Sequence, residues 1–458
     1  MNTQHLNPKL CIYNWPKEMA LSPQFAVCVN GQPVPVCATG VAAFFVVAFD
    51  GVIAIEVTVE TPLDTVSLRP LSRNNVPEIE HQTVRFSLDR PGNWSLEIEG
   101  MMPLFVFANA PETARPAADD PGVHFFAAGQ THDIGTRQME SGETVYIEGG
   151  AVVRGAIQAA DAQNITIRGH GVLDGSVFVR EIDARRSIQW EKCENVLLAD
   201  IVMIHPSMWM VTAALCDRVH VRNLKQIGEV VSSDGIDVVG SQDVLIEGCF
   251  LRNNDDCIAV KSTNHSARDH SKYTDWRRDV RRVEVRGCVF LNARAGNVME
   301  IGFELQADAI SDIVFRDIDV LHGHGEGGVF TIHNGDHATV SRVLWENIRV
   351  EHFYDKLVDF RILSSRWSGD DERGQIRDVR LKNIRVAKDV YNSPSLIGGY
   401  DASHTVEGVS FEDFFLGETA VTCGDDLHLF QKYASGISFQ VGSGVSLVRG
   451  VKASGMSL

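Results

Sequence analysis

One pattern of apolar and polar positions recurs through most of the chain: apolar, any, apolar, any, then Gly, Asn or Asp. It reads ITIRG at Ile165, VLLAD at Val196, VHVRN at Val219, VLIEG at Val244 and VEVRG at Val283. It returns as IVFRD at Ile313, VLWEN at Val343, VRLKN at Val379 and VSFED at Val409. The nine copies lie 23 to 39 residues apart, a period that signals stacked repeats. Alternation with period 2 makes each copy a short strand with one face inward. Such a unit cannot bury its apolar face alone, so neighbours must stack over a shared core. The closing Gly, Asn or Asp suits a turn, because these residues tolerate left-handed backbone conformations. Further strands lie between the copies, such as SIQWEKC (187–193), WMVTAAL (209–215) and GIDVVG (235–240). Two or three strands per unit with no amphipathic helix predict an all-β, parallel β-helix. A leucine-rich repeat would need a shorter, Leu-dominated motif, and a propeller would need four strands per blade.

The first 118 residues differ. FAVCV (25–29), AFFVVAF (43–49), IAIEVTVE (53–60), VRFSL (84–88) and WSLEIEG (94–100) are short apolar strands separated by NGQPVP, DGV and RPGN. Close spacing without a helical period predicts a β-sandwich over 1–118. PETARPAADDPG (111–122), rich in Pro and Ala, reads as the linker to a β-helix domain over 119–458.

Charge and composition narrow the function. Lys and Arg number 42 against 60 Asp and Glu, a net charge of −18, so nucleic acid is not an expected partner. No apolar run reaches eighteen residues, so no membrane partner is expected. The opening MNTQHLNPKLCIYNWPKEM lacks the pattern of a secretory leader, which places the expected location in the cytosol. The nine cysteines have no CxxC pairs. Cys193, Cys249, Cys257 and Cys288 sit in apolar strands and read as buried hydrophobes rather than zinc ligands. A homo-oligomer is left open.

Two segments carry the candidate chemistry. SSDGID (232–237) holds Asp234 and Asp237, and NNDDCIAVKS (253–262) holds Asp255 and Asp256 about one coil later. Coils of a β-helix stack about 4.8 Å apart, so these acids crowd one patch. Carboxylates that close cannot all ionise easily, and at least one should titrate high. A proton-bearing acid beside an ionised carboxylate is what cleavage of a glycosidic bond needs. The same acids also have the oxygen chemistry of a Ca²⁺ site, and a DD pair taken alone is more often a solvated turn.

With YIEGGAVVRGAI (146–157), GHGVLDGS (169–176) and HPSMWMV (205–211), these segments give a stretch that resembles the polygalacturonase-like glycoside hydrolases of families 28 and 49, from about Gly129 to Val421. The resemblance implies a right-handed, pectin-lyase-like β-helix and inverting hydrolysis without a cofactor or metal. Asp255 is similar to the general acid, and Asp234 and Asp256 look like the pair that activates water. Two departures stand out. ARAGNVMEIG (293–302) replaces the family's Gly-His-Gly segment, with Gly296 or Asn297 in the histidine's place and Glu300 as an added acid. FTIHN (330–334) offers Thr331 and His333 where polygalacturonases carry the Arg-x-Lys that binds a substrate carboxylate. A missing cationic pair and a charge of −18 point to a neutral oligo- or polysaccharide. The leading β-sandwich resembles the dextranase and isopullulanase group of family 49, which favours an α-glucan such as dextran.

Asp237, Lys261, Asn297, Glu300, His333 and Trp209 are the candidate substrate-binding residues, Trp209 through stacking on a sugar ring. The insertion STNHSARDHSKYTDWRRD (262–279), with His265, His270, Tyr273 and Trp276, is expected to wall the cleft. The histidines of HGHGEGG (322–328) read as incidental residues of a glycine-rich loop, and the loop bearing Trp367 and DDERG (370–374) suggests no role. Competing readings on the same scaffold are a polygalacturonase-type hydrolase, a lyase, an epimerase, a glycosyl or fructosyl transferase, and a non-catalytic glycan-binding β-helix.

Overall fold

A computed structural model describes residues 10–264, 270–387 and 393–442. Among the described residues, the chain from Val123 to Gln440 winds as a right-handed parallel β-helix whose strands stack in three parallel sheets. All nine copies of the repeat fall in one of them, the repeat sheet. Ile165 pairs in register with Val196, and the column continues through Val219, Val244, Val283, Ile313, Val343, Val379 and Val409. The residue before each copy and the residue closing it both adopt positive φ, as Asn164 and Gly169 do in the first copy and Gly408 and Asp413 in the last. The Gly, Asn and Asp of the pattern are therefore the corners of the coil.

The second sheet, here the front sheet, stacks Ile188–Glu191, Val211–Ala214, Ile236–Val239, Ile258–Ser262, Met299–Leu305, Gly328–Asn334 and Lys356–Ile362. Its inward residues join those of the repeat sheet in one continuous core, including Trp190 and Trp345. The third sheet carries outward apolar residues as well, and there the N-terminal sheets dock.

Those sheets account for the sandwich. One orders Leu10–Ile12, Ala43–Phe49, Leu104–Asn109, Gly92–Ile98 and Val66–Arg69; the other runs Gln32–Val34, Ala26–Val29, Ile53–Thr58, Thr83–Leu88 and Glu78–Glu80. Ala43–Phe49 is buried at all seven positions because both of its faces are covered. Ala43, Phe45, Val47 and Phe49 point into the sandwich core, while Phe44 and Val46 meet the β-helix. Phe105 and Phe107 join them and close on Phe250 of the third sheet, with ring centroids 4.8 and 5.5 Å away. Each fully buried phenylalanine contributes about 2 kcal/mol to that seam. Among the described residues no helix is long and apolar enough to cross a membrane.

Candidate active site

The front sheet builds the site by register. Ile236 pairs with Ile258 and Ile258 with Met299, so the residues just before these strands form a column of their own. Backbone bonds carry it: Gly235 N donates to Asp256 O at 2.7 Å, and Cys257 N donates to Asn297 O at 3.1 Å. Asp234 therefore sits one coil below Asp256, and Asn297 one coil above it. Asp255 lies on the solvent side of the same turn, its Oδ2 accepting from Ser232 N and its Oδ1 from Asp256 N, both at 3.0 Å. One oxygen from each of Asp234, Asp255 and Asp256 lies within 4.8 Å of the other two. They share the floor of a cleft of about 690 Å³.

Gly296 makes this crowding possible. Its φ of +67° is left-handed, and a Cβ there would stand 2.3 Å from Asp255 Oδ1 and 2.6 Å from Asp256 N. The following Asn297 gives both its backbone N, at 2.6 Å, and its Nδ2, at 3.1 Å, to Asp256 Oδ1.

Burial dominates the electrostatics. It pushes the Asp234 carboxyl well above the usual range, with Asp237 and Asp255 adding to the rise and Lys261 opposing it. Asp256 is pushed up the same way, by burial and then by Asp255 and Asp234. Asp237, completely buried beneath the floor, titrates at about 6, raised by burial against the pull of Lys261. Lys261 Nζ lies 3.2 Å from Asp234 Oδ2 and 3.1 Å from Asp237 Oδ1. Burial works against its charge, but these two acids hold its pKa above the ordinary lysine value. The ammonium thus supplies, beneath the acids, the positive charge that a bound cation would otherwise bring.

Further along the sheet, Glu300 stacks on Thr331, Thr331 on Asp359, and His333 on Arg361. His333 lies between two acids, with Nδ1 at 3.0 Å from Glu300 Oε1 and Nε2 at 3.2 Å from Asp359 Oδ2. Burial alone would lower its pKa; Glu300 and Asp359 together lift it to about 9, so the ring is cationic at neutral pH. Phe303 stacks on it at 4.4 Å. Arg361 grips Asp359 with two bonds, 2.5 and 2.7 Å long. Arg180, Lys356, Arg366 and Trp367 complete the walls together with Glu304 and Glu326.

A sequence model described as glycosyl hydrolases family 28 matches residues 135–423. The chain belongs to that family. A probable polygalacturonase of Arabidopsis thaliana is 29% identical over 108 residues, 22% of this chain and 24% of that protein. The chain thus aligns with about a quarter of the curated relative's length. Dex49A from Penicillium minioluteum superposes over 96% of this chain and 99% of its own, with a TM-score of 0.63 and 12% identity. A hyperthermoactive exopolygalacturonase from Thermotoga maritima covers 70% of this chain and 84% of its own, at 0.54 and 15%. At such identities the two structures speak for the fold alone.

Within this family 28 chain, the residues singled out from sequence divide by depth. Asp234, Asp255, Asp256, Lys261, Asn297, His333 and Trp209 line the cleft. Asp237 and Glu300 do not: both are fully buried beneath it and act through Lys261 and His333. Trp209 carries cations against its ring, Lys261 Nζ at 4.2 Å and Arg186 at 4.6 Å from the centroid. The insertion after the DD strand does not wall the cleft with Trp276. That indole is buried against Ala214 and Val239 and donates to Glu191 Oε1 at 3.0 Å, while Tyr273 OH reaches Asp161. The described part of the insertion folds back over earlier coils instead; His265 lies outside the described residues.

FTIHN lacks the Arg-x-Lys pair, but cations reach the cleft from other segments. Arg180, Lys356, Arg361 and Arg366 all line the cleft. None was singled out from the sequence, nor was Asp359. The signal existed for two of them: counting register forward from His333 and Thr331 by one coil lands on Arg361 and Asp359.

Proposed function

We propose that this family 28 glycoside hydrolase cleaves a glycosidic bond of a uronic-acid-containing oligosaccharide, of the galacturonide type named for its relatives, with inversion at the anomeric carbon. Asp255, at the cleft surface, protonates the leaving oxygen. Asp234 and Asp256 hold the water, and the ionised member of the two takes its proton, Asp256 being oriented by the two bonds from Asn297. The three roles follow the family resemblance, and a set of three close acids sharing fewer than three charges supports them.

The observation that carries the substrate class is a pair of guanidiniums on the cleft wall, which also bears Glu304 and Glu326. Among the described residues, Arg180 and Arg366 line the cleft without an acidic partner, and His333 is charged between its two acids. A net charge of −18 repels a uronate at long range, but salt screens that beyond about 8 Å, so cations within the cleft decide. A neutral α-glucan stands as the second reading, because Asp359 already neutralises Arg361 and Thr331 and His333 stand where the family's Arg-x-Lys would be. A cytosolic site of action belongs to the same proposal, supported by nine unpaired cysteines.

The test is to incubate the protein with oligogalacturonides and with isomalto-oligosaccharides and follow the anomeric protons by NMR from the first minutes. Release of the inverted anomer from oligogalacturonides supports the reading. Turnover of the isomalto series alone transfers the assignment to neutral glucans, and an unsaturated, ultraviolet-absorbing product replaces hydrolysis by elimination.

A further inference from the structure

On the sheet that docks the sandwich, three histidines meet. His322 belongs to the strand Asp319–Gly323, His324 follows it, and His352 comes from the next coil, held alongside by Gly323 N donating to His352 O at 2.9 Å. Their ring centroids are 4.8 Å (His322–His324), 4.7 Å (His324–His352) and 6.3 Å (His322–His352) apart. One nitrogen from each ring lies within 4.8 Å of the other two. His324 Nε2 and His352 Nδ1 face each other at 2.7 Å. His322 Nε2 is bonded to Glu97 Oε1 of the sandwich at 2.8 Å, and its Nδ1 is buried with no hydrogen-bond partner.

We propose that His322, His324 and His352 form a binding site for a divalent transition-metal ion of the zinc class, with Glu97 as the carboxylate that orients His322. Three imidazoles and an open fourth position suit zinc, whereas calcium and magnesium prefer oxygen ligands. Nitrogens at about 2.0–2.1 Å from a tetrahedral ion stand about 3.4 Å from each other, between the closest and the widest separations found here. Small side-chain rotations bring the three into place. Binding through His322 Nδ1 would satisfy the one buried ring nitrogen that lacks a partner, and the Glu97 bond to Nε2 is the outer-sphere contact that fixes such a ligand.

A groove of about 540 Å³, lined by Arg69, Glu97, Arg252, His322 and His324, adjoins the three rings and has room for water as a fourth ligand. Glu97 also pairs with Arg69 at 2.9 Å, and Arg69 pairs with Glu351, the residue before His352. An ion at the histidines therefore fastens the sandwich to the β-helix through one connected set of contacts.

The test uses the full chain stripped of metal, titrated with Zn²⁺ by calorimetry and with Co²⁺ by visible absorption. One ion per chain is expected, with the intense bands of tetrahedral, nitrogen-ligated cobalt and a higher melting temperature in zinc. His324→Ala, at an exposed position, and His352→Ala should abolish binding, and Glu97→Gln should weaken it about 10- to 100-fold. An Asp255→Asn/Asp256→Asn double variant should bind as the parent does, which separates this site from the acid trio. No stoichiometric binding of either ion, or binding that survives His324→Ala in a folded protein, overturns the proposal.

Discussion

Replacing Glu300 by Gln keeps the shape beside His333 and an oxygen for its Nδ1, but removes one of the two charges that hold the ring protonated. The folded protein carries His333 at about 9 against an ordinary 6.5. A raised pKa means that the native state binds the proton more tightly than the unfolded chain. The resulting stability is fully present below pH 6.5 and lost as pH rises through 9. At 1.36 kcal/mol per unit it amounts to about 3 kcal/mol at pH 6, about 2 kcal/mol at pH 7.5 and nothing by pH 10. The low pKa of Asp359 is partly the same coupling seen from the acid, so it is not added again. Urea unfolding at these three pH values should show the parent losing stability on that schedule. Glu300→Gln should lose less across the range, because its His333 titrates lower. Selective ¹³C-histidine NMR reads the ring directly. A parent His333 that titrates near 6.5, or a stability difference between the two proteins that is unchanged from pH 6 to pH 10, would refute the reasoning.

The acid trio gives sharper losses. Asp255→Asn and Asp256→Asn should each lower kcat at least about 10³-fold while circular dichroism and melting stay near the parent's; near-parental turnover removes that residue from the chemistry. Gly296→Ala should cost at least about 10²-fold in kcat, because its Cβ would stand 2.3 Å from Asp255 Oδ1 and displace that carboxylate. Lys261→Met removes the ammonium that opposes the rise at Asp234 and Asp237, so the acidic limb of the kcat profile should move to higher pH; an unmoved limb shows that the lysine does not tune the trio. Trp345→Ala, deleting a fully buried ring stacked between Phe315 and Phe360 at 5.7 and 5.4 Å, should cost about 3–5 kcal/mol of stability in denaturant unfolding.

The repeat was legible because its physics is local. Each copy needs alternation to face the core and a residue tolerant of positive φ to turn the corner, and both demands fall within five consecutive positions. The sandwich strands were visible for the same reason, and the unbroken run AFFVVAF marks the strand covered on both faces. Leu104–Asn109, also buried throughout, is an equally apolar LFVFAN that the sequence reading passed over; its partners in the β-helix lie far along the chain. Trp276 shows the opposite error. Its flanks are polar because the insertion surfaces on either side, yet the ring itself is sealed by Ala214 and Val239 and by the bond to Glu191.

The site was legible where one coil follows another at nearly constant length, and not beyond. Twenty-two residues separate Ile236 from its partner Ile258, but forty-one separate Ile258 from Met299, and the strand bulges before Ser262 pairs with Leu305. Those irregularities hide which later residues turn toward the acids, so Asp359 and Arg361 went unseen although they stand in the rows of Glu300 and His333. Net charge is a weak guide to the substrate for a related reason. It is one number for the whole chain, whereas a substrate meets the few groups within a screening length of its own charge. Charged groups on the outer faces, such as the pairs Asp243 with Arg282 and Asp312 with Arg342, enter the composition but say nothing of the cleft. The cleft draws on Arg180, Lys356, Arg361 and Arg366 instead. Substrate charge in a solenoid is therefore to be argued from the groups that line the cleft, coil by coil, where Asp234, Asp255, Asp256, Glu304, Glu326 and Asp359 face these cations and Lys261.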